Sequence, residues 1–384
     1  MKKLIVLMLA GVFMATVSCK KDNGQDERIH DPDAPEWLFD ESLPVPIEFG
    51  VGSVTATVSK VDYSVNPDGL FATDWFRYGV LALDQYGVRH LSVNGIEARN
   101  VPTNLFLDGV DGMYKTEFVD NLDNPSPHYY PVVSDRNFTF YAYHTRNGSG
   151  YAPADLNASN KVDNINIGRC DILWAKAQAV TIGSGVGALE GYNAAYIRHL
   201  ADANNVYLSS ASAPRFDFQH RTSRFVFFIQ AENAYAEDTM TEALVSISSI
   251  KLKGLCLKAS MDVTNGMFTA TGPTDGELDV NRDDTELFQP TAAGACWGDP
   301  VFVLPSVTEN GAAPGGIEME MTIRAFGNDD YVYRQVLKYE DSIANFLPGT
   351  SYQFRITIKS YEKIEIVTSV EEWTPENGED FIIG

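Results

Sequence analysis

Tyr352-Gln353-Phe354-Arg355-Ile356-Thr357-Ile358-Lys359 sets an aromatic or branched aliphatic at every second position and a polar side chain between. A turn-like Ser360–Lys363 follows, then Ile364-Glu365-Ile366-Val367-Thr368-Ser369-Val370 repeats the alternation. A period of two is the signature of half-buried β-strands. Beyond this pair lie an acidic stretch and Trp373, and the sequence closes on Phe381-Ile382-Ile383-Gly384. Chain ends are usually polar and frayed. An apolar, β-branched end needs a sheet to lie in, its own or a neighbour's, and that choice is the functional question.

Upstream, the same period recurs without βα alternation. Ile47-Glu48-Phe49 through Val58, with Val54 and Ala56 between, forms the first strand expectation. Trp75–Leu83 is mostly apolar and reads as a core strand; Leu91–Val93, Asn137–His144 and Asp171–Ala177 follow. Loops rich in Asn, Asp, Gly and Pro separate them. After Pro214 come Phe216–His220, Ser223–Gln230, Val245–Leu257 across Gly254, Gly266–Ala270, Pro300–Pro305, Ile317–Phe326 and Tyr331–Leu337. Ala188–Asn205 is the best helical stretch, and Glu232–Glu242 reads as an acidic loop or short helix. Such spacing, with plentiful aromatics and frequent Gly and Pro, predicts an all-β chain of sandwich type. The divisions expected are a leader at 1–18, a polar tether at 19–44, and β-sandwiches at 45–213 and 214–384.

The leader has a basic Met1-Lys2-Lys3 and an apolar run from Leu4 to Val17, too short for a spanning helix of about 20 residues. It ends Thr16-Val17-Ser18-Cys19. This resembles a lipoprotein signal, which implies that Cys19 carries lipid and anchors the chain to an outer membrane. Lys20–Glu27 has no apolar residue and suits a flexible tether. The full chain carries 52 acidic against 29 Lys and Arg residues, a net charge of -23. That charge repels nucleic acid, and no basic run overturns it. Of four cysteines, Cys170 reads as a buried thiol, while Cys256 and Cys296 are left with the option of pairing.

Catalytic chemistry finds little support. His144, His199 and His220 are scattered, and His220 is expected to bond backbone or cap a strand. Gly183-Ser184-Gly185-Val186-Gly187 lacks both the strand-to-helix turn of a nucleophile elbow and the Lys of a phosphate loop. Asp279, Asn281, Asp283, Asp284 and Glu286 lack calcium-loop spacing and read as a solvated acidic loop. Trp37, Trp75 and Trp297 could stack on sugar rings, but core packing is the commoner role. No enzyme, metal or cofactor is expected.

Asn137–Tyr143, Asp171–Ala175, Phe216–Ile229, Leu347-Pro348-Gly349-Thr350-Ser351-Tyr352 and Ile364–Trp373, in this order behind the lipoprotein signal, resemble the fimbrillin family of pilus lipoproteins. The resemblance covers nearly all of the mature chain and implies two transthyretin-like β-sandwich domains. It also implies assembly by strand exchange: a protease removes the first strand after an Arg, and an extended strand of the next subunit fills the groove. Here the removable strand would carry Ile47, Phe49, Val54 and Val58. The donor would carry Ile364, Ile366, Val370, Trp373, Phe381 and Ile383. No Arg stands between Ile29 and Phe76, so processing would fall at Arg77 or, with another protease, near Lys60. That departure favours an anchor or accessory subunit. The partners implied are other pilus subunits, the outer membrane through lipid, and a host protein or glycan as adhesion ligand. The alternative from another class is a monomeric glycan-binding lipoprotein.

Overall fold

The computed structural model describes residues 36–55, 75–99, 114–118, 126–132, 136–145, 156–169, 171–177, 181–182, 189–204, 214–280, 287–305, 316–327, 329–338, 346–360 and 363–371. Its strands begin with β1 (Gly50–Thr55), β2 (Trp75–Asp84), β3 (Arg89–Arg99), β4 (Tyr114–Phe118), β5 (Phe138–Thr145), β6 (Lys161–Asn166) and β7 (Ile172–Lys176). Short β8 (Thr181–Ile182) and β9 (Leu189–Glu190), helix α1 (Ala194–Asn204) and β10 (Arg215–His220) complete the first half. The second half opens with β11 (Ser223–Ala231), helix α2 (Ala234–Glu242), β12 (Ser246–Leu255), β13 (Lys258–Asp262), β14 (Met267–Ala270) and β15 (Gly276–Asp279). It ends with β16 (Ala295–Cys296), β17 (Val301–Val303), β18 (Glu318–Ala325), β19 (Asp329–Val336), β20 (Ser351–Ser360) and β21 (Lys363–Glu371).

The all-β expectation holds, with α-helix confined to two short segments among the described residues and one 3-10 turn at Glu36–Leu38. The Ala188–Asn205 stretch folds as α1 over part of its length. In Glu232–Glu242 the helical option is realised: Asn233 caps α2, its side-chain oxygen accepting the Ala236 N–H at 2.9 Å. Gly254, at φ +81°, marks the bulge where β12 shifts register between Lys253 and Leu255.

Strands of the first half close into one barrel in the order β1-β10-β7-β5-β2-β3-β4. Its core holds Val45, Ile47, Phe49, Tyr78, Val80, Phe138, Phe140, Phe216 and Phe218 among others. The second half is built from two sheets, β16-β11-β20-β21 with β17 alongside β11, and β15-β12-β18-β19. Alternation fixes which side chains meet between them. β18 turns Met319, Met321, Ile323 and Ala325 inward, and β20 turns Tyr352, Phe354, Ile356 and Ile358 inward. Phe225 and Phe227 of β11 pack on Phe354, with centroids 4.9 and 5.4 Å away.

Both halves share one device. The first strand of each runs parallel to a late one, β1 to β10 and β11 to β20, and these are the only parallel pairs among the described residues. The expected division at residue 214 falls just ahead of β10, which pairs with β1 and β7 of the barrel.

A third sheet, β14-β13-β6, draws strands from both halves. It covers the barrel's outer side with a separate core of Leu81, Leu83, Tyr143, Val162, Ile165, Cys256, Met261 and Phe268. This accounts for the nearly continuous apolar run of β2. Val80 and Ala82 face the barrel interior, and Leu81 and Leu83 face the third sheet. A strand buried on both faces has no polar face to alternate with.

Candidate assembly site

The terminal strand pair is a hairpin in the chain's own sheet. β21 pairs antiparallel with β20 from Ser351 opposite Glu371 to Ser360 opposite Lys363. It is the last strand of that sheet, so among the described residues its outer edge has no backbone partner. The side facing the core carries Ile364, Ile366 and Val370, each only partly buried. On the opposite side Val367 is 54% exposed. Lys359 Nζ lies 2.6 Å from Glu365 and 3.4 Å from Glu232, tying the hairpin together on that outer side. The Lys359 hydrogen bond and charge hold the Glu365 carboxyl below the usual range, and Glu365 in turn raises Lys359. β19, on the facing sheet, is a second edge strand; its Tyr331 and Tyr333 also lie half-buried against the same core. Unpaired edges of this length are where another chain can add a strand.

At the other end of the molecule β1 is a shorter element than the Ile47–Val58 expectation. Ile47 and Phe49 precede it and are buried in the barrel core. Phe49 packs 5.1 Å from Phe140 and 5.0 Å from Phe216. Two bridging residues position this entry: the Ile47 N–H donates to His128 and the Tyr130 N–H to Val45. Val54 stands in β1 opposite Phe218. β1 bridges β10 and β4, but its antiparallel side rests on two pairs, Gly50 with Lys115 and Val51 with Tyr114. Its parallel side shifts register between Val51 and Val54. The strand therefore closes the barrel through few backbone bonds, while the residues before it carry the apolar anchoring.

The structure thus groups Ile364, Ile366 and Val370 on one face of β21, and Ile47 and Phe49 in the barrel core, in two different sheets. Arg77 lies within the ten-residue β2, its backbone paired with Glu97 of β3. Cys19, Val58, Lys60, Trp373, Phe381 and Ile383 lie outside the described residues.

Other singled-out residues have structural partners. His220 is buried, and its Nδ1 bonds the Asp171 carboxylate. The second oxygen of Asp171 accepts the Thr222 hydroxyl at 3.0 Å. Sequence reading missed this because Asp171 and His220 are brought together only by the pairing of β7 with β10. Trp297 is buried near Phe288, and Trp37 packs on the barrel core. Cys256 is buried and Cys296 exposed, and no disulfide joins them, so the pairing left open by sequence is not made. No group of three or more His, Cys, Asp or Glu side chains among the described residues is placed to hold a metal ion. No helix among them is long and apolar enough to cross a membrane.

Against known proteins, the model of the fimbrillin-like family matches residues 95–373. This chain belongs to that family of fimbrial proteins of the cell surface. Solved structures similar in fold include a "putative cell adhesion protein" from Bacteroides uniformis at 15% identity, covering 86% of this chain and 98% of its own, with a TM-score of 0.49. A protein of the same description from Bacteroides ovatus is 16% identical over 86% of this chain and 98% of its own, TM-score 0.47. The fimbrial anchor protein Mfa2 from Porphyromonas gingivalis is 10% identical over 86% and 98%, TM-score 0.30. No curated protein matches in sequence.

Proposed function

We infer that this chain is a lipid-anchored fimbrial subunit that joins its neighbours by strand addition and has no catalytic role. The observation that carries the reading is β21: a nine-residue, alternating strand at a sheet edge, bonded on one side only among the described residues, with half-buried Ile364, Ile366 and Val370. A donor strand needs this pattern, because backbone bonds supply affinity and alternate side chains fill pockets. Trp373, Phe381 and Ile383 extend the apolar positions beyond it. The receiving groove would be the place of β1 between β10 and β4, emptied when the segment with Ile47, Phe49, Val54 and Val58 leaves.

Within this reading the chain forms two β units that meet around residues 214–223, behind a tether that starts at lipidated Cys19. Arg77 suits processing poorly, since a protease binds extended, unpaired backbone and Arg77 sits inside a paired strand. A cut near Lys60 fits better. Adhesion to a host protein or glycan would be carried by the assembled fibre.

Electron microscopy and boiling-resistant gel bands of the purified mature protein, before and after limited trypsin, test the reading. Filaments or a ladder after trypsin are expected for a polymerising subunit. A subunit that stays monomeric alone, and also fails to cap or seed fibres of related subunits, would remove strand addition from the account.

A further inference from the structure

The outward face of the sheet that holds β21 carries an organised patch. Register sets Cys296, Phe228, Arg355 and Val367 in one line across β16, β11, β20 and β21. One pair further along stand Gln230, Thr357 and Glu365, and on the other side Val226, Gln353 and Ser369. Arg355 lies flat at the centre, its guanidinium carbon 4.2 Å from the Phe228 ring centroid. Its Nη1 donates to Gln230 Oε1 at 3.0 Å and its Nη2 to Gln353 Oε1 at 3.1 Å. Gln230 in turn donates to the Thr357 hydroxyl at 3.1 Å, so the clamp is itself held in place.

Among the described residues no carboxylate lies within the 4.0 Å of an ion pair with Arg355, in a chain of net charge -23. Lys359, on the same face, is paired with Glu365 and Glu232. Arg324 and Arg334, on the facing sheet, have Asp330 and Glu320. A guanidinium has five N–H donors, and the two amide oxygens use two. Three remain on a cation already immobilised, which lowers the ordering cost of binding an anion.

We propose that this patch is a binding site for a carboxylate-bearing sugar, a uronic acid or similar, with Arg355 taking the carboxylate. Arg pairs with carboxylates in bidentate fashion, and the bonds are charge-assisted. Around it Gln353, Thr357 and Ser369 are neutral and polar and suit ring hydroxyls, and the nearby Glu365 carboxylate is taken up by Lys359. Neighbouring strands about 4.8 Å apart and same-face residues about 7 Å apart give the footprint of one pyranose ring. A protein partner suits the face less. Val367 is its one large, exposed apolar side chain, whereas a stable protein interface buries about 800 Å² per partner around an apolar centre. The site belongs to the single subunit, in which β21 lies in its own sheet, and does not depend on assembly.

Calorimetric titration of the full mature protein with a glucuronate-containing tetrasaccharide, and with the same compound after its carboxyls are reduced to alcohols, tests the assignment. Saturable binding of the acidic probe is expected, at least tenfold weaker for the reduced probe and for Arg355→Gln. Val367→Trp, directly opposite Arg355, covers one end of the line and should also weaken binding, and decides the matter if Arg355→Gln does not fold. No binding by the wild type, equal binding of both probes, or variants that bind as the wild type does would overturn the site. So would tighter binding of a polyglutamate peptide than of the sugar.

Discussion

Trp174, on barrel strand β7, donates its indole N–H to the carbonyl of Val263 at 2.7 Å. Val263 follows β13, so the bond joins the two halves. The same ring lies against Gly266, where an added Cβ would stand 2.8 Å from it, and carries the Arg221 guanidinium 5.6 Å from its centroid. Arg221 completes the clamp by donating to the Gly266 carbonyl at 2.9 Å. Burial lowers the Arg221 pKa, as expected for a cation held against a ring and a carbonyl. Together with the shared third sheet, these contacts fasten the two halves into one body.

Trp174→Ala should therefore weaken the joint more than either half. The loss of a ring, a hydrogen bond and a cation–π contact is expected to cost about 3 kcal/mol. Urea unfolding followed by tryptophan fluorescence and circular dichroism should show one transition for the wild type and a split or broadened one for the variant. A variant with the wild-type midpoint would contradict the clamp.

Gly79→Ala tests the packing of β2. A Cβ there would stand 2.4 Å from the buried Tyr143 ring, which also belongs to the third core. Overpacking of this kind costs about 1–3 kcal/mol. The melting temperature should fall, and a variant that melts with the wild type would contradict this packing.

Acid should loosen the barrel in a window set by two histidines. Burial lowers the pKa of His90, with the Arg136 charge adding to it and Asp84 opposing. His128 is lowered by burial first and then by His90. A folded pKa below the unfolded one means that the unfolded chain takes the proton first. Their contribution is then complete above about pH 6.5 and is lost as pH falls below it, levelling off beneath the depressed folded values. Glu320 and Glu365, whose pKa values are lowered by Lys253 and Lys359, lose their contributions only in a more acidic range. Stability measured between pH 7.5 and 5 should decline, and His90→Asn with His128→Asn should flatten that slope. An unchanged slope would show that the two rings are not its source.

Thiol labelling should separate the cysteines. Cys296 is exposed on β16, whereas Cys256 is buried with its Sγ 3.1 Å from the Lys258 carbonyl. Peptide mapping after brief alkylation of the native protein should find Cys296 modified and Cys256 protected until denaturant is added. A disulfide-linked Cys256–Cys296 peptide would contradict the fold around β12 and β16.

Much of the second half was legible because its strands are buried on one face. The alternation of β18 and β20 in sequence is the alternation of buried and exposed side chains in space. The first half was harder to read. β2 carries apolar residues on both faces, so its sequence marks a core strand but not what covers it. The cover, β13 with β14, lies more than 170 residues further on, and no local pattern links Met261 to Val162. Phe216–His220 follows Pro214 and reads as the opening of a new unit, yet its backbone partners are β1 and β7. For the candidate site, the apolar face of β21 was plain in Ile364, Ile366 and Val370. Its place at a sheet edge was not, because edges are set by which strands find no further partner.

The measurement that bears most directly on strand addition is fibre assembly by the chain lacking Glu371–Gly384, compared with the full mature protein under the same processing conditions. Negative-stain microscopy should show fibres only when the tail is present, while circular dichroism shows both proteins folded. Fibres of normal length and number from the truncated chain would contradict a role for the tail in joining subunits.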